Sequence, residues 1–489
     1  MKRAFIFFLI LLLLFSGCTV RTPDVETENA ACTYTGTQAG TMSWDVEGAV
    51  VKPSPVWTYN WKDVFSGWYY WQGNCNVCGD VVYISGDRLT ALDLKTGKEL
   101  WETQLKNSAP NENALSYILF PTIYKDKIVA IGARLVVEKG LEYYMERRNV
   151  LVFDRGTGKL LWKSVDIGSK LDYFEQGYPV ILNDKIYVPA LNGKYRASEY
   201  GYGNNLACKK EERGIWVWDL NTGKLLDKIF FSFLEGELDP TSTKVISDGK
   251  NLYVMAGVRP SLEKADRTLG PQYLIAFNPR SRKVLWQIRL LDDMGGNTNF
   301  NPIGVNSKVI VVSRSVAPTA AHGPEEWIRA FDKKTGRLLW SKEQFSSMDI
   351  SITENKLFVS LKEDSLSCLD PMTGKEIWTY KCSHKPPSAK FCTDAPGGFS
   401  PFLTRNVLYL QSCYGDMLIA LDPDTGKELW SIIPPFNKAL KLEEDNFGSW
   451  MMVPVNNGFI TLYTGFGEDS GKMLFPPIVQ LWSATNNKK

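Results

Sequence analysis

Short apolar strands recur along the chain, and each is followed by a similar polar turn. Segments such as VVYISG (81–86) and KLFVSL (356–361) are rich in β-branched and aromatic residues and are apolar on both faces. Such strands are typical of sheets covered on both sides, and no stretch of useful length has a helical period. The pattern predicts an all-β protein. The other matching strands are KIVAIG (127–132), KIYVPA (185–190), NLYVMAG (251–257), KVIVVS (308–313) and NVLYLQ (406–411).

A motif of constant length follows each of these strands and aligns without gaps. It recurs roughly every 50 residues, which suits a four-stranded propeller blade with its loops. The seven copies are ALDLKTGKELW (91–101), VFDRGTGKLLW (152–162), VWDLNTGKLLD (217–227), AFNPRSRKVLW (276–286), AFDKKTGRLLW (330–340), CLDPMTGKEIW (368–378) and ALDPDTGKELW (420–430).

Each part of the motif has a structural role. The Asp side chain accepts turn N–H groups, and the Gly four residues later takes the positive φ that closes a hairpin. The Trp at the end is large and flat and has one N–H to satisfy, so it suits a wedge between neighbouring blades. The expected wedges are Trp57, Trp101, Trp162, Trp286, Trp340, Trp378 and Trp430.

The two ends of the chain decide the number of blades. GFITLYTG (458–465) and VQLWSATNNKK (479–489) form an eighth copy that stops before its Trp strand, whereas PSPVWTYNW (53–61) is a Trp strand without a turn. If residues near 55–60 supply the outer strand of the last blade, no sheet edge is left exposed. We therefore predict an eight-bladed propeller of four-stranded antiparallel blades closed by an N-terminal strand, with seven blades as the fallback.

Two copies depart from the motif. Asp227 replaces Trp in the third copy, and Asn278, Ser281 and Arg282 replace Asp, Thr and Gly in the fourth. We expect these two hairpins to be bent or shielded differently from the rest.

The full pattern Ala-x-Asp-x-x-x-Gly-x-x-x-Trp occurs at 91–101, 330–340 and 420–430. It resembles the tryptophan-docking repeat of the pyrroloquinoline-quinone (PQQ) dehydrogenases and of their non-enzymatic relatives, and the resemblance covers residues 53–489. Because one fold supports many chemistries, the resemblance predicts the fold more strongly than the function.

The enzyme branch of that family implies a bound PQQ, a calcium ion and a pair of adjacent cysteines. This chain has no Cys-Cys dipeptide, and Cys75-Asn-Val-Cys78 is followed by Gly79 rather than by the His of a covalent haem site. His322 and His384 lie in Pro-rich loops, which suits solvated positions. We expect no cofactor and no catalysis, and a PQQ-dependent dehydrogenase is kept as an alternative.

The N-terminus has the features of an export signal. Lys2 and Arg3 precede the apolar run 4–15, which is too short to span a bilayer, so residues 1–17 are interpreted as a signal peptide. The ending at Cys18 resembles a bacterial lipobox, with Phe15 where an aliphatic residue is usual, and this implies lipidation of Cys18. An ordinary signal peptide with an incidental cysteine is the alternative.

The following segment, residues 18–45, lacks periodicity and is interpreted as a flexible tether to a propeller formed by residues 46–489. This layout resembles the lipoprotein branch of the family, the B subunit of the outer-membrane barrel-assembly machinery. The resemblance implies a lipid-anchored, non-enzymatic scaffold of the bacterial envelope that binds other proteins. It also implies a role in outer-membrane protein assembly. A generic binding propeller on the export side is the alternative. The formal charge of +2 offers no field to gather nucleic acid, so no such partner is expected.

Eight cysteines follow Cys18, and an exported compartment permits disulfides. Cys382 and Cys392 flank one loop and are the favoured pair. Cys75 and Cys78 are expected to form a tight bridge or to remain thiols, because no second C-x-x-C completes a zinc site. Cys368 takes the place of a small apolar residue in its repeat. Cys32, Cys208 and Cys413 are unassigned.

Five insertions follow strands that all point to the rim opposite the short turns. We expect this rim to bind the partner. The five insertions are 132–149, 190–214, 257–272, 314–327 and 464–476. Its candidate contact residues are Tyr143, Tyr144, Tyr195, Tyr200, Tyr202 and Trp327. The aromatic cluster GWYYWQG (67–73) is interpreted as a core strand. A polysaccharide-binding surface built from exposed aromatic residues is the alternative.

Overall fold

A computed structural model describes most of residues 44–484 as a ring of eight antiparallel β-sheets. The description omits 1–43, 62–74, 106–115, 138–142, 166, 168, 172–178, 192–212, 235–236, 260–270, 292–297, 300–302, 317–324, 344–349, 362–364, 384–398, 413–416, 433–446, 467–472 and 485–489. Within the described ranges, the structure contains no apolar helix of the length needed to span a bilayer.

The first strand, β1 (Ser54–Asn60), belongs to the last blade, so blade 1 begins at β2. Within each blade the strands follow one another from the centre of the ring outwards. Blades 1 to 4 contain β2 (Cys75–Cys78), β3 (Val81–Ser85), β4 (Arg88–Asp93) and β5 (Glu99–Gln104); β6 (Ser116–Tyr124), β7 (Lys127–Val137), β8 (Tyr143–Asp154), β9 (Leu160–Lys163) and an additional β10 (Ser169–Leu171); β11 (Val180–Leu182), β12 (Lys185–Leu191), β13 (Arg213–Asp219) and β14 (Leu225–Ile229); and β15 (Glu237–Ser247), β16 (Leu252–Arg259), β17 (Gln272–Asn278) and β18 (Lys283–Leu291).

The second half of the ring repeats the arrangement. Blades 5 to 8 contain an additional β19 (Thr298–Asn299), β20 (Ile303–Val305), β21 (Val309–Val316), β22 (Glu325–Asp332) and β23 (Leu338–Glu343); β24 (Ile350–Ile352), β25 (Leu357–Leu361), β26 (Ser365–Leu369) and β27 (Glu376–Lys381); β28 (Phe399–Leu403), β29 (Leu408–Ser412), β30 (Leu418–Leu421) and β31 (Glu428–Ile432); and β32 (Phe447–Val455), β33 (Gly458–Phe466), β34 (Met473–Ser483) and β1. The all-β, eight-bladed prediction is confirmed, and the seven-bladed fallback is wrong.

The last blade is closed by the N-terminal strand. β1 pairs antiparallel with β34, with Ser54 opposite Ser483 and Asn60 opposite Ile478. Trp61, directly after β1, is fully buried and donates its indole N–H to Thr90 Oγ1 of blade 1 at 3.0 Å. The two ends of the chain therefore meet in one sheet, and blade 8 needs a strand from each of them.

The repeated turns have one geometry. In the first, Asp93 Oδ1 accepts hydrogen bonds from the Thr96 N–H at 2.8 Å and from Thr96 Oγ1 at 2.7 Å, and Gly97 has a φ of 69°. The turn beginning at Asn278 has the same form despite its altered residues: Asn278 Oδ1 accepts from the Ser281 N–H, and Arg282 takes the positive φ of 58°. The expectation of a differently bent fourth hairpin is wrong, because Asn and Arg satisfy the same turn.

In six of the eight blades, the Trp of the outer strand lies against the turn of the next blade. The indole of Trp57 covers Gly97, where a Cβ atom would come within 2.6 Å of the ring, and its Nε1 donates to Leu94 O at 2.8 Å. Only glycine leaves room for the ring at this position. The equivalent pairs are Trp101–Gly158, Trp162–Gly223, Trp286–Gly336, Trp340–Gly374 and Trp378–Gly426.

The boundary between blades 7 and 8 uses a different partner. Trp430 donates its indole N–H to Ala49 O at 2.8 Å, so a segment before β1 replaces a turn. This segment, residues 44–50, lies on the turns of both blades: the Arg405 N–H donates to Val46 O, and the Asn457 N–H donates to Glu47 O. Trp44 stacks on Phe402, so the folded body begins before residue 46.

Candidate functional site

The propeller has two unlike rims. The turn rim carries the short β2–β3-type hairpins and the Asp-x-x-Thr-Gly turns, and these two sets are joined by hydrogen bonds such as Leu94 N–H to Asp80 O at 2.8 Å. The insertion rim lies at the other ends of the strands and carries the longer connections. Because strand direction alternates within each blade, all five predicted insertions begin and end on the insertion rim.

Part of the insertion rim is built of regular strands. β7 and β8 continue as a two-stranded ribbon as far as the pair Val137–Tyr143. β10, from the connection between blades 2 and 3, pairs along β8, with Lys170 opposite Glu146. Tyr143 and Tyr144 begin β8 and therefore lie at the end of this ribbon. Backbone pairing gives the ribbon a defined register, so this part of the rim is an extension of paired strands rather than an irregular loop.

The structure corrects the predicted position of Trp327 on the insertion rim. It is 1% exposed and packs in a hydrophobic cluster with Leu274 and Val312. The guanidinium of Arg329 lies 4.1 Å from the centre of its ring. Since β22 begins at Glu325, the insertion ends before Trp327, and the indole points between blades 4 and 5 instead of outwards. A binding role for Trp327 is therefore wrong.

Several candidate residues lie outside the described part of the chain. They include three predicted rim tyrosines, both histidines, the lipidation site and the aromatic cluster 67–73. For these the interpretations given above stay predictions. The residues concerned are Tyr195, Tyr200, Tyr202, His322, His384 and Cys18.

The described cysteines do not follow the predicted C-x-x-C bridge. Cys75 and Cys78 lie at the two ends of β2; Cys75 is a buried free thiol, and Cys78 is disulfide-bonded. Burial raises the pKa of the Cys75 thiol to about 12. A bridge between these two cysteines is therefore wrong. Cys382 follows β27 and carries a thiol beside Tyr380 rather than a disulfide, so the predicted pair with Cys392 is wrong.

Burial accounts for the pKa of Cys368, and hydrogen bonds within the turn account for the pKa of the turn aspartate Asp93. Cys368 is fully buried in β26, where burial raises the pKa of its thiol to about 12. On the turn rim, the side-chain hydroxyl and backbone N–H of Thr96 hold the pKa of Asp93 below its usual value. The turn aspartates are thus occupied by their own turns, which leaves the insertion rim as the candidate surface.

The enzyme branch of the resemblance requires a calcium–quinone centre. Among the described residues, no group of three or more His, Cys, Asp or Glu side chains is arranged to hold a metal ion. The chain also lacks the adjacent cysteines of that centre. The residues described do not fit this cofactor set, and no step through it is derived.

The fold and the docked tryptophans define the class of protein: an eight-bladed propeller of PQQ-like repeats. A family model described as outer membrane protein assembly factor BamB matches residues 35–207 and 324–435, which is more than half of the chain. The chain belongs to this family.

Three relatives span different functions. Tetrathionate hydrolase of Acidithiobacillus ferrooxidans is 24% identical over 56% of this chain and 60% of its own length. Quinoprotein ethanol dehydrogenase of Pseudomonas aeruginosa is 29% identical over 26% of this chain and 22% of its own. Outer membrane protein assembly factor BamB of Yersinia pestis is 22% identical over 67% of this chain and 70% of its own. The chain spans less than two thirds of the first two.

A solved structure supports the fold. BamB from Moraxella catarrhalis superposes with a TM-score of 0.51 and 12% identity, covering 88% of this chain and 99% of its own. At this identity the likeness shows the fold alone.

Proposed function

We propose that the chain is a membrane-anchored, non-enzymatic scaffold of the bacterial envelope that binds a protein of the outer-membrane assembly apparatus through its insertion rim. Membership of the family described as an outer membrane protein assembly factor is the observation that carries the proposal. The anchor is the lipidated Cys18, and the envelope is the location that the family description favours.

The difference between the rims supports this choice of surface. On the turn rim, backbone and aspartate groups are used by the turns themselves, and six tryptophans cover the adjacent glycines. On the insertion rim, Tyr143 and Tyr144 begin β8 at the end of the β7–β8 ribbon, and β10 pairs along its side. Aromatic residues are enriched at protein interfaces, because they bury a large area at a small entropic cost.

Shortening the rim tests the proposal. Leu191 and Arg213 are cross-strand partners, so a two-residue turn can replace 192–212 without changing the blade. Gly132 and Asn149 pair in the same way, so a short turn can replace 133–148. Tagged wild-type and shortened proteins are purified from detergent-solubilised native membranes, and the bound proteins are identified by mass spectrometry.

The matched control alters the opposite rim. Lys95 and Asp80 form an exposed ion pair on the turn rim, and Lys95→Ala with Asp80→Ala leaves both insertions intact. The proposal predicts that the control retains an outer-membrane assembly protein and that the shortened variant loses it. Undiminished capture by a folded, shortened variant would contradict the assignment of the surface.

A second candidate is a catalytic propeller, which the matches to tetrathionate hydrolase and quinoprotein ethanol dehydrogenase favour. Dye reduction with an alcohol after addition of PQQ and calcium, or consumption of tetrathionate, would establish it. The polysaccharide-binding alternative loses one of its supports, because Trp327 is buried. Binding on a glycan array would restore that alternative.

A further inference from the structure

The turn and outer strand of blade 4 are strongly basic. Residues 278–289, which form this turn and most of β18, contain four cations and no carboxylate. Asn278 takes the place of the turn aspartate, which removes a negative charge that six other turns carry. The four cations are Arg280, Arg282, Lys283 and Arg289. Blade 4 therefore carries a local positive charge, although the formal charge of the whole chain is only +2.

The neighbouring blades extend this basic surface on both sides. Blade 3 contributes a lysine directly before β14, and blade 5 contributes one lysine in its turn and one arginine directly before β23. The exposed cations of the three blades, which we call the basic corner, are Lys224, Arg280, Lys283, Lys334 and Arg337. None of the five forms an ion pair with a carboxylate in the part of the chain that the structure describes. Their charges are therefore available to a partner.

Contacts between the blades make the basic corner continuous. Blades 3 and 4 are joined by the ion pair of Asp227 with Arg282 at 2.9 Å. Blades 4 and 5 are joined by the Trp286 indole N–H, which donates to Lys333 O at 3.0 Å. Because each turn leads directly into an outer strand, the five cations lie where the turn rim meets the outer wall of the ring.

The equivalent positions of blade 1 are neutralised. The motif lysine Lys98 is followed by Glu99, and Lys95 forms an ion pair with Asp80 at 2.9 Å. The residue after the motif cation is also Glu in blades 6 and 7, whereas it is aliphatic in blades 2 to 5. These residues are Glu376 and Glu428 in the first group and Leu160, Leu225, Val284 and Leu338 in the second. The unpaired positive charge is therefore confined to one side of the ring.

Exposed apolar side chains lie among the cations of the basic corner. Their exposed fractions range from 37% to 50%, and they are Leu226, Phe230, Val284, Leu285 and Leu338. Cations interspersed with aliphatic and aromatic groups are typical of surfaces that lie on an anionic bilayer, where headgroups attract the cations and the acyl boundary accepts the apolar groups. Three of the five cations are lysines, which are depleted at protein interfaces. The composition therefore favours a lipid surface over a protein.

We propose that the basic corner of blades 3 to 5 docks on a bilayer of anionic phospholipid. The inference rests on the proposed function only because the lipid anchor is what brings the chain to a membrane. Headgroup phosphates accept hydrogen bonds from the lysines and arginines, and the negative surface potential acts within about 10 Å at 0.1 M salt. Docking turns this side of the turn rim towards the bilayer and leaves the insertion rim open to the aqueous phase.

Photo-crosslinking to lipid tests the docking. Leu285 and Leu100 hold the same position of the repeat, directly before Trp286 and Trp101, and both are 50% exposed. A photoreactive amino acid replaces one or the other in the full-length protein, which is reconstituted with vesicles of phosphatidylglycerol and phosphatidylcholine. We predict lipid adducts from position 285 and few from position 100. The adducts from position 285 should disappear in pure phosphatidylcholine and at about 1 M salt, where screening shortens to about 3 Å.

Matched charge variants separate the basic corner from charge in general. Arg280→Gln with Lys283→Gln removes two cations from blade 4, and Lys95→Gln with Lys98→Gln removes them from the same repeat positions of blade 1. Each cation near an anionic surface strengthens association about fivefold, so the blade 4 variant should lower the adduct yield at position 285 about tenfold or more. The blade 1 variant should leave that yield unchanged. Urea unfolding of both variants checks that the fold is intact.

Three results would overturn the proposal: equal adduct yields from positions 285 and 100; adducts from position 285 that persist in pure phosphatidylcholine or at high salt; or, in native membranes, a crosslink from position 285 to protein without a lipid adduct, which would assign the surface to an acidic protein. Lipid adducts from position 285 together with undiminished partner capture by the shortened insertion rim would leave the docking standing and overturn the proposed binding surface. Adducts on a chain whose Cys18 carries no lipid would overturn the anchor alone.

Discussion

Asp227 and Arg282 form a two-pronged ion pair across the boundary between blades 3 and 4. Arg282 Nη1 lies 2.9 Å from Asp227 Oδ2, and Nη2 lies 3.1 Å from Oδ1. Asp227 occupies the position of the docked Trp, and Arg282 occupies that of the glycine beneath it. A Trp cannot lie flat on a turn that carries a long side chain, so the two departures compensate each other.

A double-mutant cycle at this boundary tests the compensation. Asp227→Trp alone sets an indole against the Arg282 side chain and should cost about 1–2 kcal/mol of unfolding free energy. Arg282→Gly alone loses an exposed ion pair but relieves a positive φ, so it should stay within about 1 kcal/mol of the wild type. The double variant restores the common pair, and urea unfolding should give a coupling of about 1–2 kcal/mol. Additive effects would contradict the exchange.

The docked glycines should be more sensitive than other glycines with positive φ. Gly336 has a φ of 74°, and a Cβ there would lie 2.8 Å from the Trp286 ring. Gly249 has a φ of 85° and nothing within 4 Å of such a Cβ. Both alanine variants carry backbone strain of about 1 kcal/mol, but only Gly336→Ala displaces an indole, so it should lose about 1–3 kcal/mol more. If urea unfolding gave equal losses of unfolding free energy for the two variants, the indole would move aside without cost, and the prediction would be contradicted.

The docking of segment 44–50 on blades 7 and 8 should depend on Gly48. A Cβ at Gly48 would collide with Thr404 Oγ1 and the Val407 side chain, although the backbone φ at Gly48 is not positive. Gly48→Ala should lift the segment, free the Trp430 indole N–H and cost about 2 kcal/mol. Limited proteolysis should then cut within 44–50. Gly156→Ala is the control, because its Cβ would meet only Asp154 Oδ1 at 3.6 Å; equal proteolysis of the two variants would refute the dependence.

Acid should weaken the boundary between blades 4 and 5. Burial acts to raise the pKa of Asp248, but the Asn251 N–H and Lys333, whose Nζ lies 2.8 Å away, outweigh it, and the net pKa is lowered. A carboxyl group with a lowered pKa stabilises the fold at pH values above its unfolded pKa of about 3.9, and this contribution is lost as the pH falls through the folded pKa.

Two asparagine variants distinguish the effect of the Asp248–Lys333 pair from that of an exposed surface ion pair. Asp248→Asn should cost about 2 kcal/mol at pH 7 and flatten the loss of unfolding free energy below about pH 4. Asp80→Asn breaks a pair whose side chains are 65% and 73% exposed and should cost less than about 1 kcal/mol. A pH profile of Asp248→Asn parallel to that of the wild type would exclude Asp248 as a source of the acid sensitivity.

The sequence predicts the ring of blades because the same turn and Trp recur, and each of the seven copies independently supports the same hairpin. The complementarity of Asp227 and Arg282 also has a sequence signal, because the copy that lacks its Trp directly precedes the copy that lacks its Gly. The prediction that these two hairpins are bent or shielded differently is wrong for the bend of the fourth, which has the common form, and right for the shielding, because the Asp227–Arg282 ion pair replaces a docked Trp.

Other features have no repeating signal. Residues 44–50 lie on the turns of blades 7 and 8 through backbone groups, which no motif marks. The turn motifs place Trp327 inside an insertion, whereas β22 extends back to Glu325 and includes it. The disulfide of Cys78 could not be distinguished from a local C-x-x-C bridge, because the position of Cys75 and Cys78 at opposite ends of one strand depends on the fold.

Site-specific photo-crosslinking in native membranes tests the central claim most directly. A photoreactive amino acid replaces Tyr143 at the end of the β7–β8 ribbon or, in a second variant, Lys95 on the turn rim, whose side chain is 73% exposed. The account predicts a crosslink to an outer-membrane assembly protein from position 143 and none from position 95. A crosslink to that protein from position 95 with none from position 143 would contradict it.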